Sequence, residues 1–584
     1  RGHRFATASD TEVIVHLYEE HGMGCLAELN GQFAFALWDS RTGRLFLARD
    51  RLGIRPLHYT VQGKRLLFAS EVKALFTDPT VRRELDPVAL DQTCTAWSPQ
   101  LGRTAFADIV ELPPGHFLEA GPDSVSSHRY WAAPFVPREG RLDWPPERIA
   151  GRVRELLTDA VRLRLQADVP VGAYVSGGLD SSAVAALVAT RFNPDVRTFG
   201  IRFEDKRFDE GEEQQRMVSW LRTPHGQVYI GEEDIAAALR NTLWHTEKPL
   251  LRTSPVPLYL LSRLVRDSGL KVVLTGEGAD EVFGGYNLFK EALVRRFWAR
   301  DPSSPLRRRL AEELYPNIFT SPRMRHLLPV IMGQYLDNAD DPLFSHRLRW
   351  ATTRRISALY SRELQASLPG HDVAEEIART LPSGFARWDA LSRAQYVEMT
   401  SFLSTYLLSS QGDRVAMAHS VEIRLPYLDH RLVELACRIP PHWRMLGLQE
   451  KHILRRAVAD LLPPTVAQRR KFPYRAPIAR ALMAALRQHD MAGCLERAAL
   501  LEAGVFDPDR VEALLRRTAQ RGDAGEVDGM ALAAVLSTMV VYDLFVKRFQ
   551  PLSILPRRRF DVFVDRRTAA VPEGPNVVAG KSRM

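Results

Sequence analysis

The sequence predicts an α/β protein: an amino-terminal part of antiparallel strands, then a doubly wound parallel sheet, then a helical carboxyl-terminal part. Three observations carry this. Residues 1 to 135 alternate short apolar–polar runs with turn signals. From Glu147 strands alternate with helices, as in a parallel sheet with crossover helices. Within that stretch Val171 to Ser182, VGAYVSGGLDSS, reads as an apolar strand, a glycine-bearing turn and a helix start.

The elements follow in order. Ser9-Asp10 caps a helix over Thr11–His21. Gln32–Trp38, a turn at Asp39–Gly43 and Arg44–Ala48 form a hairpin. Arg49–Tyr59 and Leu66–Ala69 continue the strands, Glu71–Leu75 starts a helix, and Leu112–Gly115 turns tightly. Pro134–Pro146 is rich in Pro, Gly and charge, which places a linker at 136–148. Helices are expected at Ile149–Leu165, Ala183–Phe192, Glu212–Leu221, Glu233–His245 and Val256–Asp267. Strands are expected at Val196–Phe203, Gln227–Ile230 and Lys271–Thr275. Residues 290–410 and 505–549 read as mostly helical, Glu450–Asp460 as a helix start, and Ala418–Glu434 as a polar–apolar mix leading into a helix.

The 584 residues are 45% hydrophobic and 26% charged, an ordinary balance for a globular protein. No apolar run approaches the roughly 20 residues of a membrane span, and RGHRFATASD holds no signal-peptide core, so no membrane partner and a cytoplasmic location are expected. Four widely spaced cysteines, Cys25, Cys94, Cys437 and Cys494, suggest buried thiols in a reducing compartment. The net charge is +9, and the tail from Pro551 contributes seven basic and three acidic residues, which makes +4. Such a tail reads as a solvated end; without aromatic–basic interleaving, no nucleic-acid partner is expected.

The turn after Val171–Val175 offers free N–H groups and a positive helix end, which suit a phosphate. Asp180 suits an anion site only if a cation is present, and Mg²⁺ with a nucleotide pyrophosphate supplies one. A second turn, Gly276–Tyr286 (GEGADEVFGGY), carries Glu277, Asp280 and Glu281. Acids after a strand can simply cap the next helix. With Asp180 they instead make a divalent-cation site, as adenylation of an acceptor carboxylate requires to clamp departing pyrophosphate. Lys451 stands out because the chain has only ten lysines and none other between Lys290 and Lys471. A compact ammonium suits phosphate, against the plainer possibility of a chance surface lysine. Gly580-Lys581-Ser582 mimics a P-loop, but Pro575 stands where its first glycine belongs. Histidines 225, 245, 419, 430 and 452 lack metal-ligand spacing.

SGGLDSS, TGEGADEVFGGY, DRVAMAHSVEIRLPYLDHRLVE (Asp413 to Glu434) and EKHILR together resemble glutamine-dependent asparagine synthetase. ASDTEVI, LNGQFAFALWD, ARDRLGIRPLHY and FASEVKAL resemble its class II glutaminase domain, and the likeness runs from Ser9 to Phe549. It implies a partial αββα Ntn-hydrolase-type sandwich over 1–135, a linker over 136–148, a PP-loop ATP pyrophosphatase domain over 149–549 and a basic, disordered tail over 550–584. It also implies an asparagine-biosynthetic ligase that uses ATP and Mg²⁺, adenylates aspartate to β-aspartyl-AMP and amidates it with ammonia from glutamine. Family members often form homodimers.

By motif, Ser176, Gly177, Gly178, Asp180 and Ser181 would hold pyrophosphate, with Asp180 and Asp280 on the metal. Tyr174, Ile201, Thr275 and Gly276 would touch adenosine; Tyr174 is bulkier than the family's usual aliphatic residue. Glu277 would act in the intermediate's formation or orient ammonia. Lys451 would neutralise the phosphates, and Asp10 would hold the glutamine α-amino group. Ser254 and Arg424 lie in motif context near the acceptor.

The resemblance departs at the front, where Arg1 stands in place of the nucleophilic cysteine and the RGPD-like and NGEIYN-like motifs are absent. The expectation is an amino-terminally truncated enzyme that uses ammonia but not glutamine, with exposed strand edges and poor solubility. Two alternatives stand beside this: a relative adenylating another carboxylate, such as a β-lactam-synthetase-like enzyme, and a non-catalytic binding protein on the same fold.

Overall fold

A computed structural model describes residues 2–315, 322–521 and 525–551. The amino-terminal part holds two antiparallel sheets. Strands β1 (Ala34–Asp39), β2 (Arg44–Arg49), β6 (His116–Ala120) and β7 (Val125–Arg129) form one, in the order β1-β2-β6-β7. Strands β3 (His58–Gln62), β4 (Arg65–Ala69) and β5 (Val110–Glu111) form the other, in the order β4-β3-β5. The expected hairpin is β1–β2, with Ala34 opposite Arg49 and Asp39 opposite Arg44.

The central sheet is wholly parallel and runs β10-β9-β8-β11-β12. Its strands are β8 (Val171–Tyr174), β9 (Thr198–Phe203), β10 (His225–Ile230), β11 (Val272–Leu274) and β12 (Glu422–Arg424). The chain leaves β8 toward β9 and β10, then returns to lay β11 on the other side of β8, opposite Val171–Ala173. The strand order therefore reverses between β8 and β11, and a ligand crevice opens at the carboxyl ends of such a pair.

Several elements differ from expectation. The helix after β8 starts at Leu179, four residues before Ala183, so Asp180, Ser181 and Ser182 lie in its first turn, and its last five residues, Val188–Phe192, wind as a π-helix. β12 read as a polar mix because its three residues are flanked by charge; pairing with buried β11 makes it a strand. The first helix is Glu12–His21, and neither Ser9 nor Asp10 caps it: Thr11 holds the N-cap position without a side-chain bond. The Glu12 carboxylate instead accepts the N–H groups of Ala6 and Thr7 at 2.6 and 2.7 Å.

The 136–148 segment is packed. Phe135 and Leu142 are buried, the Leu142 N–H donates to Arg438 C=O at 2.9 Å, and Arg141 pairs with Asp389 at 2.9 Å. One hydrophobic core joins Leu52, Phe76 and Phe106 of the amino-terminal part to Val184, Leu243 and Phe545 of the rest. Glu526–Lys547 is, by length and composition, apolar enough to cross a membrane, but 83% of its apolar window is buried inside the protein, as in a core helix. The basic tail beyond 551, including Gly580–Ser582, lies outside the described residues.

Candidate active site

The two glycine turns meet at the switch between β8 and β11. Gly177 has φ +75°, and a Cβ there would sit 2.5 Å from Glu213 Cβ, so only glycine passes. Ser181 Oγ accepts the Ser176 N–H at 3.0 Å and bonds Ser176 Oγ at 2.9 Å, which ties the turn to the helix start. A Cβ on Gly276 would lie 2.6 Å from the Ser181 nitrogen, so the second turn presses directly on the first. Tyr427, from the LPYLDH stretch, donates its hydroxyl to the Asp180 C=O at 3.2 Å.

At this junction Lys451 bridges the two acids. Its Nζ lies 2.5 Å from Asp180 Oδ2 and 2.6 Å from Asp280 Oδ1, and the residue is 2% exposed. It is no surface lysine. A second ammonium, Lys471 Nζ, lies 2.6 Å from Asp280 Oδ2. Two carboxylates and two ammoniums thus share one buried cluster. Burial raises the Asp180 carboxyl above its ordinary value. Burial acts on Asp280 the same way, but Lys451 and Lys471 outweigh it and hold that carboxyl at about 2. Burial raises Glu277 as well, and raises Glu281 to about 8 with the Asp280 charge beside it. Glu281 does not line the cavity; it accepts the Tyr286 hydroxyl at 2.7 Å.

These groups open on a cavity of about 560 Å³. Of the residues singled out in the sequence, Tyr174, Ser176, Gly178, Asp180, Ser181, Ile201, Ser254, Thr275, Gly276, Glu277, Asp280 and Lys451 line it. Gly177 shapes the turn from behind. Asp10 is exposed and does not line the cavity. Arg424 is elsewhere too: its guanidinium donates to the C=O of Arg164 and Gln166 and to Glu422.

Sequence reasoning missed Lys471, Tyr427 and the Arg469 anchor, which donates to Gly177 C=O at 3.3 Å and pairs with Glu210 at 2.8 Å. The scarcity of lysine that singled out Lys451 applies equally to Lys471. Its segment has no periodicity, so nothing local marked it.

The acids fit Mg²⁺. Asp180 Oδ1 is buried without a hydrogen-bond partner, and both groups are hard oxygen donors at a phosphate-type turn. Mg²⁺ is commonly held by one or two carboxylates plus substrate phosphates, so a fuller protein cage is not needed. Among the described residues, the geometric cluster of three metal-type ligands lies away from this cavity, at His3, His16 and Glu19.

A family model described as asparagine synthase matches residues 152–541, and one described as glutamine amidotransferase domain matches residues 1–131. The amidase chyE of Penicillium rubens is 31% identical over 507 residues, covering 81% of this chain and 74% of that protein. Glutamine-hydrolyzing asparagine synthetase 3 of Bacillus subtilis is 32% identical, covering 81% and 72%. A putative asparagine synthetase of Mycobacterium tuberculosis is 32% identical, covering 81% and 71%.

Proposed function

The chain belongs to the asparagine synthase family, and from that premise we propose that it converts a carboxylic acid to its amide through an acyl adenylate. Aspartate is the family's acceptor, with ammonia drawn from glutamine. An acceptor carboxylate oxygen bonds to the α-phosphorus of ATP, the α–β P–O bond breaks and pyrophosphate leaves. Ammonia then bonds to the acyl carbon, AMP departs with the C–O electron pair, and the surplus proton leaves the nitrogen.

The observation that carries this is the buried Asp180–Lys451–Asp280–Lys471 cluster at the ends of adjacent parallel strands. Mg²⁺ held by Asp180 and Asp280 would supply charge neutralisation on the pyrophosphate. The turn from Ser176 to Ser181 offers backbone N–H groups to phosphate, and Tyr174, Ile201, Thr275 and Gly276 border the nucleoside. Lys451 and Lys471, released from the carboxylates, place two ammoniums against the developing phosphate charge. Glu277, its carboxyl raised by burial, holds or accepts the proton of the incoming nitrogen. Asp10, in the amidotransferase part, would take the glutamine α-amino group in a full-length enzyme that carries the nucleophilic cysteine.

The test is ATP–pyrophosphate exchange and AMP formation. Asp180→Asn is expected to lower exchange at least about a hundredfold with the fold retained. Formation of ADP in place of AMP, or undiminished exchange, would remove the cluster from this role. A second reading, the same adenylation on a carboxylate other than aspartate, draws support from Arg424, whose guanidinium is engaged away from the cavity.

A further inference from the structure

The cavity continues from the glycine turns to a second end walled by Trp97, Arg252, Arg349, Phe402 and Tyr406. Trp97 belongs to the amino-terminal part, where it closes the helix Pro87–Ala96 at φ +76°. A bulky aromatic in left-handed backbone is an outlier, and such outliers concentrate at functional sites. Phe402 and Tyr406 lie on Met399–Leu407, wound as a π-helix, another rare geometry found at such sites.

The amino-terminal part grips that segment. Ser98 Oγ donates to Thr405 C=O and Gln100 Nε2 to Ser401 C=O, both at 2.9 Å. The Phe402 and Tyr406 rings stack at 5.2 Å, and Trp97 meets Phe402 edge-on at 5.5 Å. The Arg252 and Arg349 guanidiniums lie 4.5 and 5.5 Å from the Trp97 ring centre.

Three carboxylates that line the cavity here, Glu398, Glu526 and Glu291, are committed. Glu398 accepts both terminal nitrogens of Arg349, at 2.9 and 2.7 Å, and bonds His346 Nε2 at 2.7 Å. Glu526 pairs with Arg252. Glu291 accepts the Tyr315 hydroxyl at 2.6 Å and pairs with Arg295 at 3.3 Å. An amino-acid acceptor with its α-ammonium beside these three would displace an existing partner or remain unpaired at a cost. A flat apolar body meets aromatic and guanidinium surfaces instead.

We propose that the acceptor is a carboxylic acid with a planar aromatic body and no α-ammonium, selected at this end by Trp97 and Phe402. The proposal rests on the adenylation reading above and narrows its substrate class. The bonds made and broken are those already given, with the aryl acid's carboxylate as nucleophile.

The experiment is ATP–pyrophosphate exchange by the full chain with MgATP and, separately, aspartate, benzoate, phenylacetate or indole-3-acetate. At least one aryl acid is expected to exceed aspartate about tenfold. Trp97→Gly removes the ring while suiting the positive φ, and its melting temperature, followed alongside, separates lost packing from lost recognition. It is expected to raise the KM for the aryl acid about tenfold while leaving the KM for ATP within about twofold, and Phe402→Leu is expected to act in the same direction. Trp97→Phe is expected to restore most of the loss. Exchange driven best by aspartate, or aryl-acid KM values unmoved by Trp97→Gly and Phe402→Leu, would overturn the proposal and leave the adenylation reading standing. Exchange with no acid at all, while ATP still raises the melting temperature, would overturn both.

Discussion

At Lys451 the backbone is left-handed, with φ +53° and ψ +33° immediately before the helix His452–Val458. For a residue other than glycine this costs about 1 kcal/mol, and here it accompanies an ammonium held between two acids. The space around it is shaped by an absence. A Cβ on Gly285 would lie 2.0 Å from Asp280 Oδ1 and 2.1 Å from Lys451 Cε. Gly285→Ala is therefore expected to displace the bridge and lower pyrophosphate exchange more than about tenfold, a steric effect. Lys451→Met removes a cation from two buried carboxylates and is expected to destabilise the fold by about 3 kcal/mol as well as to abolish exchange. Urea unfolding followed alongside activity separates the two effects. Unchanged exchange in either variant would detach the bridge from the chemistry.

The acidic turn is a short element held from outside. Its helix, Ala279–Phe283, is only five residues long, and Gly278 enters it at φ +89°. Gln395, on the helix Ala390–Glu398, donates Nε2 to the carbonyls of Glu281 and Val282 at 2.6 and 2.9 Å. The fully buried Arg444 donates in turn to Gln395 Oε1, and to Ser392 Oγ at 2.7 Å. Gln395→Leu would leave two carbonyls and a guanidinium short of partners. We expect about 2–3 kcal/mol of lost stability and a rise in the Mg²⁺ concentration needed for half-maximal exchange. A purely structural role would lower the melting temperature without moving that Mg²⁺ requirement, and Gln395→Glu, which loses the donor to both carbonyls but keeps an acceptor for Arg444, should also raise that requirement. The element carrying Asp280 thus takes its position from residues more than a hundred positions later in the chain.

Across the whole molecule, the amino-terminal part is docked through charge as well as apolar core. Glu247, 3% exposed, accepts the N–H groups of Val72 and Lys73 at 2.9 and 2.8 Å and pairs with Arg414 at 2.8 Å and Lys73 at 3.2 Å. Burial would raise its carboxyl, but Arg414 and Lys73 prevail and lower it from 4.5 to about 2. A depressed carboxyl stabilises the fold above its unfolded value and loses that contribution as pH falls through the folded one. Stability from this group is therefore expected to be full above about pH 5 and to fade between about 4.5 and 2, amounting to roughly 3 kcal/mol. Glu247→Gln should flatten the melting-temperature profile over that interval; an unaltered acid limb would exclude Glu247 as its source.

By itself the sequence determined the alternation of strands and helices, the SGGLDSS and GEGADE turns, the acids on them and the rarity of lysine that marked Lys451. Such features are local: a glycine at a positive φ, an apolar strand and a helix start are each written within a few residues. It left open β12, three residues that become a strand only beside β11, and Lys471, whose segment carries no period. It also pointed Arg424 at the acceptor, where the fold turns that side chain to carbonyls of Arg164 and Gln166. Trp97, which joins the amino-terminal part to the cavity, had no signature at all. Only tertiary structure decided these, because burial, ion pairing and cavity walls depend on which distant segments meet, and the chain writes no local signal for that.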